Sequence, residues 1–292
     1  MIDWNEQPLN TTVFPVIRSD LIMTALESFW RFSDREVHRV VVIDQTVEGL
    51  PDLTMMGERK KPLAHMVLRP WRNLGFAGAA NYGLLLARTP LVTLCNDDVE
   101  FFDARWWPGV LECLEKEKNI GASPMSPRLP GWSVGKKGPQ HTGVVDSRER
   151  CRGEGMAEAL AEQGVRTVHD YLKKTTDFKG YVNGVCHWCV TFKRMQLLTE
   201  VGLYDERFFP GGGEDYDLQS RCAQAGGYRI MGTWEAWVWH DWGQSKDFKG
   251  HDGRARISER PSWNRMGDVW DGKFDAWGRT GVRHPDVRME PL

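Results

Sequence analysis

Leu91-Val92-Thr93-Leu94-Cys95-Asn96-Asp97-Asp98 decides the fold: a short, largely apolar run breaks off into an amide and two carboxylates. A run of that length bounded by polar residues reads as a strand buried on both faces. Carboxylates are strongly hydrated, so stranding a pair at the end of a core element is costly unless they bind something. A divalent metal with a phosphate-bearing ligand fits that chemistry.

Upstream, the same logic finds partners for this strand. Thr12 to Ile17, Val40 to Ile43 and Met66 to Leu68 read as further buried strands. Between them, Leu21, Ile22, Ala25, Leu26, Phe29 and Trp30 form an apolar stripe at helical spacing, with Ser19 expected at the N-cap. Gly75 to Arg88 predicts a second helix, rich in Gly and Ala, that allows close backbone approach. Continuous apolar strands alternating with helices imply an α/β fold with a parallel sheet covered on both faces. Such sheets bind ligands at the carboxyl ends of their strands, where Arg18, Asp44 and Asp97-Asp98 all fall.

Downstream, Trp106 to Lys118 predicts a helix ending at Asn119 and Gly121. From Pro124 to Lys179 the pattern is irregular, with a helical stretch from Met156 to Lys174, and Val185 to Phe192 resumes strand character. Gly211-Gly212-Gly213 then opens a helix from Glu214 to Ala225, stopped by Gly226-Gly227. Its first turn holds Glu214, Asp215 and Asp217, where the macrodipole is expected to hold the carboxyl pKa values down and keep a general base ionised. Tyr228 to Met231 and Ala236 to Trp239 predict two short strands, the second ending at His240, a good partner for two carboxylates around Mn2+ or Mg2+. Cys186-His187-Trp188-Cys189 lacks the second Cys pair of a zinc ribbon, and Gly75-Phe76-Ala77-Gly78 is not followed by the Gly-Lys-Ser/Thr of a P-loop.

Composition excludes other classes. The chain has 292 residues, 41% apolar and 27% charged, ordinary for a globular protein with a sizeable core. A net charge of −2 provides no global field toward nucleic acid or anionic membrane, although residues 128–179 carry ten Lys/Arg against seven Asp/Glu. No apolar run reaches the ~20 residues that span a bilayer, and Met1 to Asn10 has no signal-peptide core. Six scattered cysteines read as reduced thiols, so the expected compartment is cytoplasmic. Seven of the fourteen tryptophans lie after residue 230, either packed in the core and tail or forming a platform for a sugar ring or base.

Asn73-Leu74-Gly75-Phe76-Ala77-Gly78-Ala79-Ala80-Asn81-Tyr82-Gly83, followed by Leu94-Cys95-Asn96-Asp97-Asp98-Val99, resembles the donor half of glycosyltransferase family two, with its GT-A fold. The downstream blocks are similar in order and spacing: Val201 to Pro210, Gly213-Glu214-Asp215-Tyr216-Asp217-Leu218, and His240 with Gly243 and Ser245. The resemblance is to inverting, rhamnosyltransferase-like members of that family. The resemblance implies a Rossmann-like, mainly parallel sheet flanked by helices. It divides the chain into a donor-binding half (1–120), an acceptor-binding and catalytic half (121–245) and a Trp-rich tail (246–292).

By the resemblance, Asp98 and His240 bind a Mn2+ or Mg2+ ion, Asp215 is the catalytic base, and Glu214 is its acidic neighbour. Pro15, Arg18, Asp44, Asn73, Gly78, Asn81, Asn96 and Asp97 fall where the family holds the nucleotide-sugar donor. Two departures stand out: Asn96 replaces the first Asp of the usual motif, and Asp44-Gln45-Thr46 departs from the usual end of the second strand. The implied reaction is metal-assisted, inverting sugar transfer from a nucleotide-diphosphate donor to an acceptor hydroxyl on a glycan, a protein or a hydroxylated DNA base. The competing readings are a non-catalytic sugar- or nucleotide-binding protein on the same fold, and a nucleotidyltransferase. The latter usually shows a glycine-rich loop near the first strand, whereas Phe14-Pro15-Val16-Ile17-Arg18 has no glycine.

Overall fold

The computed structural model describes residues 8–54, 61–126, 161, 164, 180–183 and 188–240. Apart from Ala161 and Gly164, the expected helix at 156–174 lies outside the described residues, as do the Cys186-His187 pair and the 246–292 tail. Four strands form the parallel half of the sheet: β1 (Asn10–Val16), β2 (His38–Asp44), β3 (Met66–Leu68) and β4 (Leu91–Cys95), in the order β3-β2-β1-β4. Alternate residues of β2 face opposite ways: Val40 and Val42 join one core with Phe29 and Trp106, while Val41 and Ile43 join the other with Ala79 and Leu84. Burial on both faces explains why these strands read as continuous apolar runs.

Beyond β4 the sheet is mixed. It contains β5 (Val99–Phe101), β6 (Asn119–Met125), β7 (Tyr181–Asn183), β8 (Cys189–Lys193) and β9 (Arg229–His240). β8 runs antiparallel between β4 and β6, β9 runs parallel to β6, and β5 and β7 pair antiparallel with β9. Helices α1 (Ser19–Arg31) and α3 (Trp106–Leu114) fill one core, and α2 (Gly75–Leu86) and α4 (Glu214–Gly226) cover the other. Gly83 lets α2 lie directly on β1, because a Cβ there would sit 2.7 Å from Val13 Cγ2. No helix among the described residues is long and apolar enough to cross a membrane.

Several boundaries differ from the sequence reading for identifiable reasons. Ser19 is not the N-cap of α1; Arg18 holds that position without a side-chain cap. The carboxylate of Asp97 accepts the backbone N–H groups of Ile17 and Arg18 instead, each at 2.9 Å. A residue remote in sequence thus fixes the backbone at the entry to α1, one residue before the N-cap and at it. Helix α3 stops at Leu114, the amide of Asn119 donates to the Cys113 carbonyl at 2.7 Å, and Lys118 turns the chain at φ 58°. Finally, the two short strands expected at 228–239 are one strand, β9, whose pairing with β6 shifts register between Thr233 and Trp237.

His38 shows what the first core costs. Its ring is fully buried among Phe29, Trp106 and Trp107, and burial drives its pKa down to about 3. Nδ1 lies 3.0 Å from the Asn10 amide, while Nε2 has no hydrogen-bond partner among the described residues. The unfolded chain therefore takes up a proton first as pH falls below about 6.5. Stability present above that pH is lost progressively down to about 3, by an amount on the order of 5 kcal/mol. The raised carboxyl pKa values of Asp97 and Glu214 act in the opposite sense, so the His38 contribution is read by difference: between pH 7 and pH 4 the urea midpoint of the wild type should fall relative to that of His38→Gln.

Candidate active site

The parallel strands bring their carboxyl ends to one edge: Arg18 follows β1, Asp44 ends β2, and Asn96-Asp97-Asp98 follows β4. The long β9 delivers His240 to the same place, because Val99, the first residue of β5, pairs with His240. Asp98 Oδ1 therefore lies 3.2 Å from His240 Nε2, with both side chains about 5% exposed. This oxygen makes no hydrogen bond among the described residues, and neither does the buried Oδ1 of Asn96. Buried oxygens without donors are the acceptors a hard cation satisfies, and a nearby imidazole nitrogen suits Mn2+ as well. No group of three or more His, Cys, Asp or Glu closes on such an ion among the described residues. Coordination would be completed by ligand oxygens, the usual arrangement for cations held on substrate phosphates.

Asp97 is differently engaged. Burial, reinforced by the Asp98 charge, pushes its carboxyl up to about 7 against the opposing backbone N–H groups of Arg18 and Ile17. The Arg18 guanidinium turns to Asp20, which raises its own pKa, and Pro15 lies past Val13–Leu94, the last pair between β1 and β4. Asp97 and Arg18 sit together beside Asp98.

The other expected donor contacts are occupied within the protein. Asp44 accepts from Thr46 N and Oγ1 through one oxygen, and from Leu50 N and Arg69 Nη1 through the other. A carboxylate offers about four acceptor sites, and these contacts brace the loop after β2. Asn81 donates to the Tyr204 carbonyl and to Glu206 Oε1 and accepts from Tyr204 N, which ties α2 to the segment leading into α4. Asn73 Oδ1 accepts from Gly75 N at 2.9 Å. Gly78 is packed closely, since a Cβ there would lie 3.0 Å from Leu74 and 3.7 Å from the Glu206 carboxylate.

The second acidic cluster occupies the first turn of α4, but its three carboxylates differ. Asp217 is fully buried and paired with Arg221 at 2.9 Å. Glu214 is buried and accepts from Gly212 N. The expectation of a lowered pKa is overturned for Glu214: burial, with the Asp215 charge beside it, pushes its carboxyl up to about 8. Desolvation of a buried carboxylate outweighs a macrodipole contribution that is modest at best. Asp215 alone is half-buried, and Tyr216 N–H donates to its Oδ1.

Two residues of the site carried no signal in the sequence. Trp188 stacks on His240, with ring centroids 5.3 Å apart and planes inclined by 18°, and Ser126 Oγ accepts the His240 backbone N–H. The tryptophan platform is not formed by Trp234, Trp237 and Trp239, all of which are buried.

Comparison with known proteins identifies the family and the fold. The sequence pattern of Glycosyl transferase family 2 matches residues 18–198, more than half of the chain. No curated protein sequence matches. Among solved structures, the mannosyltransferase PcManGT from Pyrobaculum calidifontis, in complex with GDP-Man and Mn2+, superposes with a TM-score of 0.55 at 15% identity, covering 98% of this chain and 68% of that one. GalNAc-T7 with UDP, GalNAc and Mn2+ superposes with a TM-score of 0.53 at 16% identity, covering 79% of this chain. The chain spans 42% of the length of GalNAc-T7. These likenesses establish a shared GT-A fold, and with the family match they lead to one conclusion: this chain belongs to glycosyltransferase family 2.

Proposed function

We propose that this protein transfers a sugar from a nucleotide-diphosphate donor to an acceptor hydroxyl with inversion at the anomeric carbon. The observation that carries the reading is the buried pair of Asp98 Oδ1 and His240 Nε2, 3.2 Å apart at the carboxyl edge of the sheet. Asp98 and His240 would hold Mn2+ or Mg2+, with Asn96 Oδ1 nearby, and a bound cation supplies positive charge to the departing diphosphate. The two structural neighbours, solved with UDP or GDP-Man and with Mn2+, support this.

Asp215 is the base in this mechanism. It takes the proton of the acceptor hydroxyl as that oxygen bonds to the anomeric carbon; the bond to the donor phosphate breaks, and the nucleoside diphosphate leaves with its electron pair. Attack from the face opposite the leaving group inverts the centre. Glu214, largely protonated at neutral pH, adds little charge to compete for that proton. Asp97 acts indirectly, holding the start of α1 against the Asp98 turn.

Residues 1–120 form the donor half and 121–245 the acceptor and catalytic half, with residues 246–292 adding to acceptor recognition. The acceptor is a hydroxyl of a glycan, a protein or a hydroxylated DNA base. Free, buried Cys95, Cys113, Cys189 and Cys222 suit a reducing, cytoplasmic setting. A donor screen with Mn2+ or Mg2+, following nucleoside-diphosphate release with and without acceptors, tests the reading. Release from one donor, accelerated by an acceptor, is expected; release from none overturns it.

A further inference from the structure

Trp188 touches both halves of the Asp98–His240 pair by different means. Its carbonyl accepts the backbone N–H of Asn96 at 2.8 Å, at the start of the turn that carries Asp98. Its indole lies nearly parallel to the His240 imidazole, 18° between planes and 5.3 Å between centroids. The reach comes from the sheet: the next residue, Cys189, pairs with Cys95 across β4 and β8, so Trp188 begins beside Asn96. The ring is 5% exposed, and its Nε1 has no hydrogen-bond partner among the described residues. An orphaned buried donor costs stability that a phenyl ring would avoid, so the contribution of this side chain lies in its flat face. Ser126 holds the His240 backbone, while the imidazole ring meets the Asp98 carboxylate at the Nε2 edge and the Trp188 indole on its face.

We propose that Trp188 is a positioning residue: its indole fixes the His240 imidazole toward Asp98, while its carbonyl fixes the turn that presents Asp98. The inference rests on the metal role proposed above for Asp98 and His240. Groups that orient a metal-binding histidine typically change metal affinity about 10–100-fold when removed. An aromatic replacement keeps the stack and an aliphatic one removes it.

Titration with Mn2+ alone, followed through the EPR signal of the free ion, separates these roles in the wild-type chain, His240→Ala, Trp188→Leu and Trp188→Phe. Circular dichroism checks the fold of each. His240→Ala and Trp188→Leu are expected to weaken binding about tenfold or more, while Trp188→Phe stays within about threefold of wild type. If Trp188→Leu binds Mn2+ as the wild type does while His240→Ala is weakened, the positioning role is wrong and the metal site stands. If His240→Ala binds as the wild type does, the metal assignment itself fails. Should Trp188→Leu not fold, paramagnetic quenching of tryptophan emission decides. Mn2+ should quench a smaller share of the emission in Trp188→Phe than in wild type, and an unchanged share overturns the proposal.

Discussion

Asp215→Asn is expected to lower kcat by about 10²–10⁴-fold, equivalent to roughly 3–5 kcal/mol of transition-state stabilisation, with the donor KM little changed. The argument is one of elimination within a single helical turn. Asp217 is committed to Arg221 in a fully buried ion pair, and burial leaves Glu214 largely neutral at pH 7, its carboxyl pushed up to about 8. Asp215 is the half-buried one of the three carboxylates, and the proposed mechanism gives it the acceptor proton. Glu214→Gln mimics the neutral state, so at pH 7 it should cost less than about tenfold, well below the loss of a general base. Steady-state kinetics of both variants check this. A large loss in Glu214→Gln with normal turnover in Asp215→Asn would reverse the two roles.

The parallel half of the sheet was legible because burial on both faces leaves an unbroken apolar signature, as in Val40 to Ile43. The mixed half was legible only in part, since β8 and both ends of β9 were expected as strands but β6 was not. Strand β6 reads Asn-Ile-Gly-Ala-Ser-Pro-Met, with residues that normally interrupt strands, yet all seven are buried. Its glycine is there for space, since a Cβ on Gly121 would meet the Phe192 ring at 2.8 Å. Packing across three strands decided that element, and no local pattern encodes it.

The same distinction runs through the site. Asp97-Asp98 and Glu214-Asp215 were visible because charge at the end of a core element is costly and therefore conspicuous. Which carboxylate does what was not visible. Asp97 holds the entry to α1, Asp44 braces the loop through Thr46, Leu50 and Arg69, and Asn81 ties α2 to Tyr204. The partners of Asp97 and Asn81 lie 79 to 123 residues away, a scale on which sequence spacing carries no information. Trp188 had even less chance of being found, because its role exists only once β8 and β9 are side by side with His240.

Asp98→Asn separates function from stability. Turnover should fall by about a thousandfold, several kcal/mol, because a neutral amide holds a divalent cation poorly against the charge of a diphosphate. The fold should not suffer. Asp98 Oδ1 makes no hydrogen bond among the described residues, and the Asp98 charge is one reason, after burial, that the Asp97 carboxyl is driven up to about 7. Removing that charge lets Asp97 ionise more readily and bind the N–H groups of Ile17 and Arg18 more strongly, as charged acceptors do. The melting temperature at pH 7, measured without metal, should therefore equal or exceed that of the wild type, while added Mn2+ stabilises only the wild type. Such a trade is what a binding site built from buried, crowded charge implies: the repulsion that weakens the empty fold is relieved by the ligand. A clear drop in melting temperature would mean that Asp98 supports the fold and that the metal role belongs elsewhere.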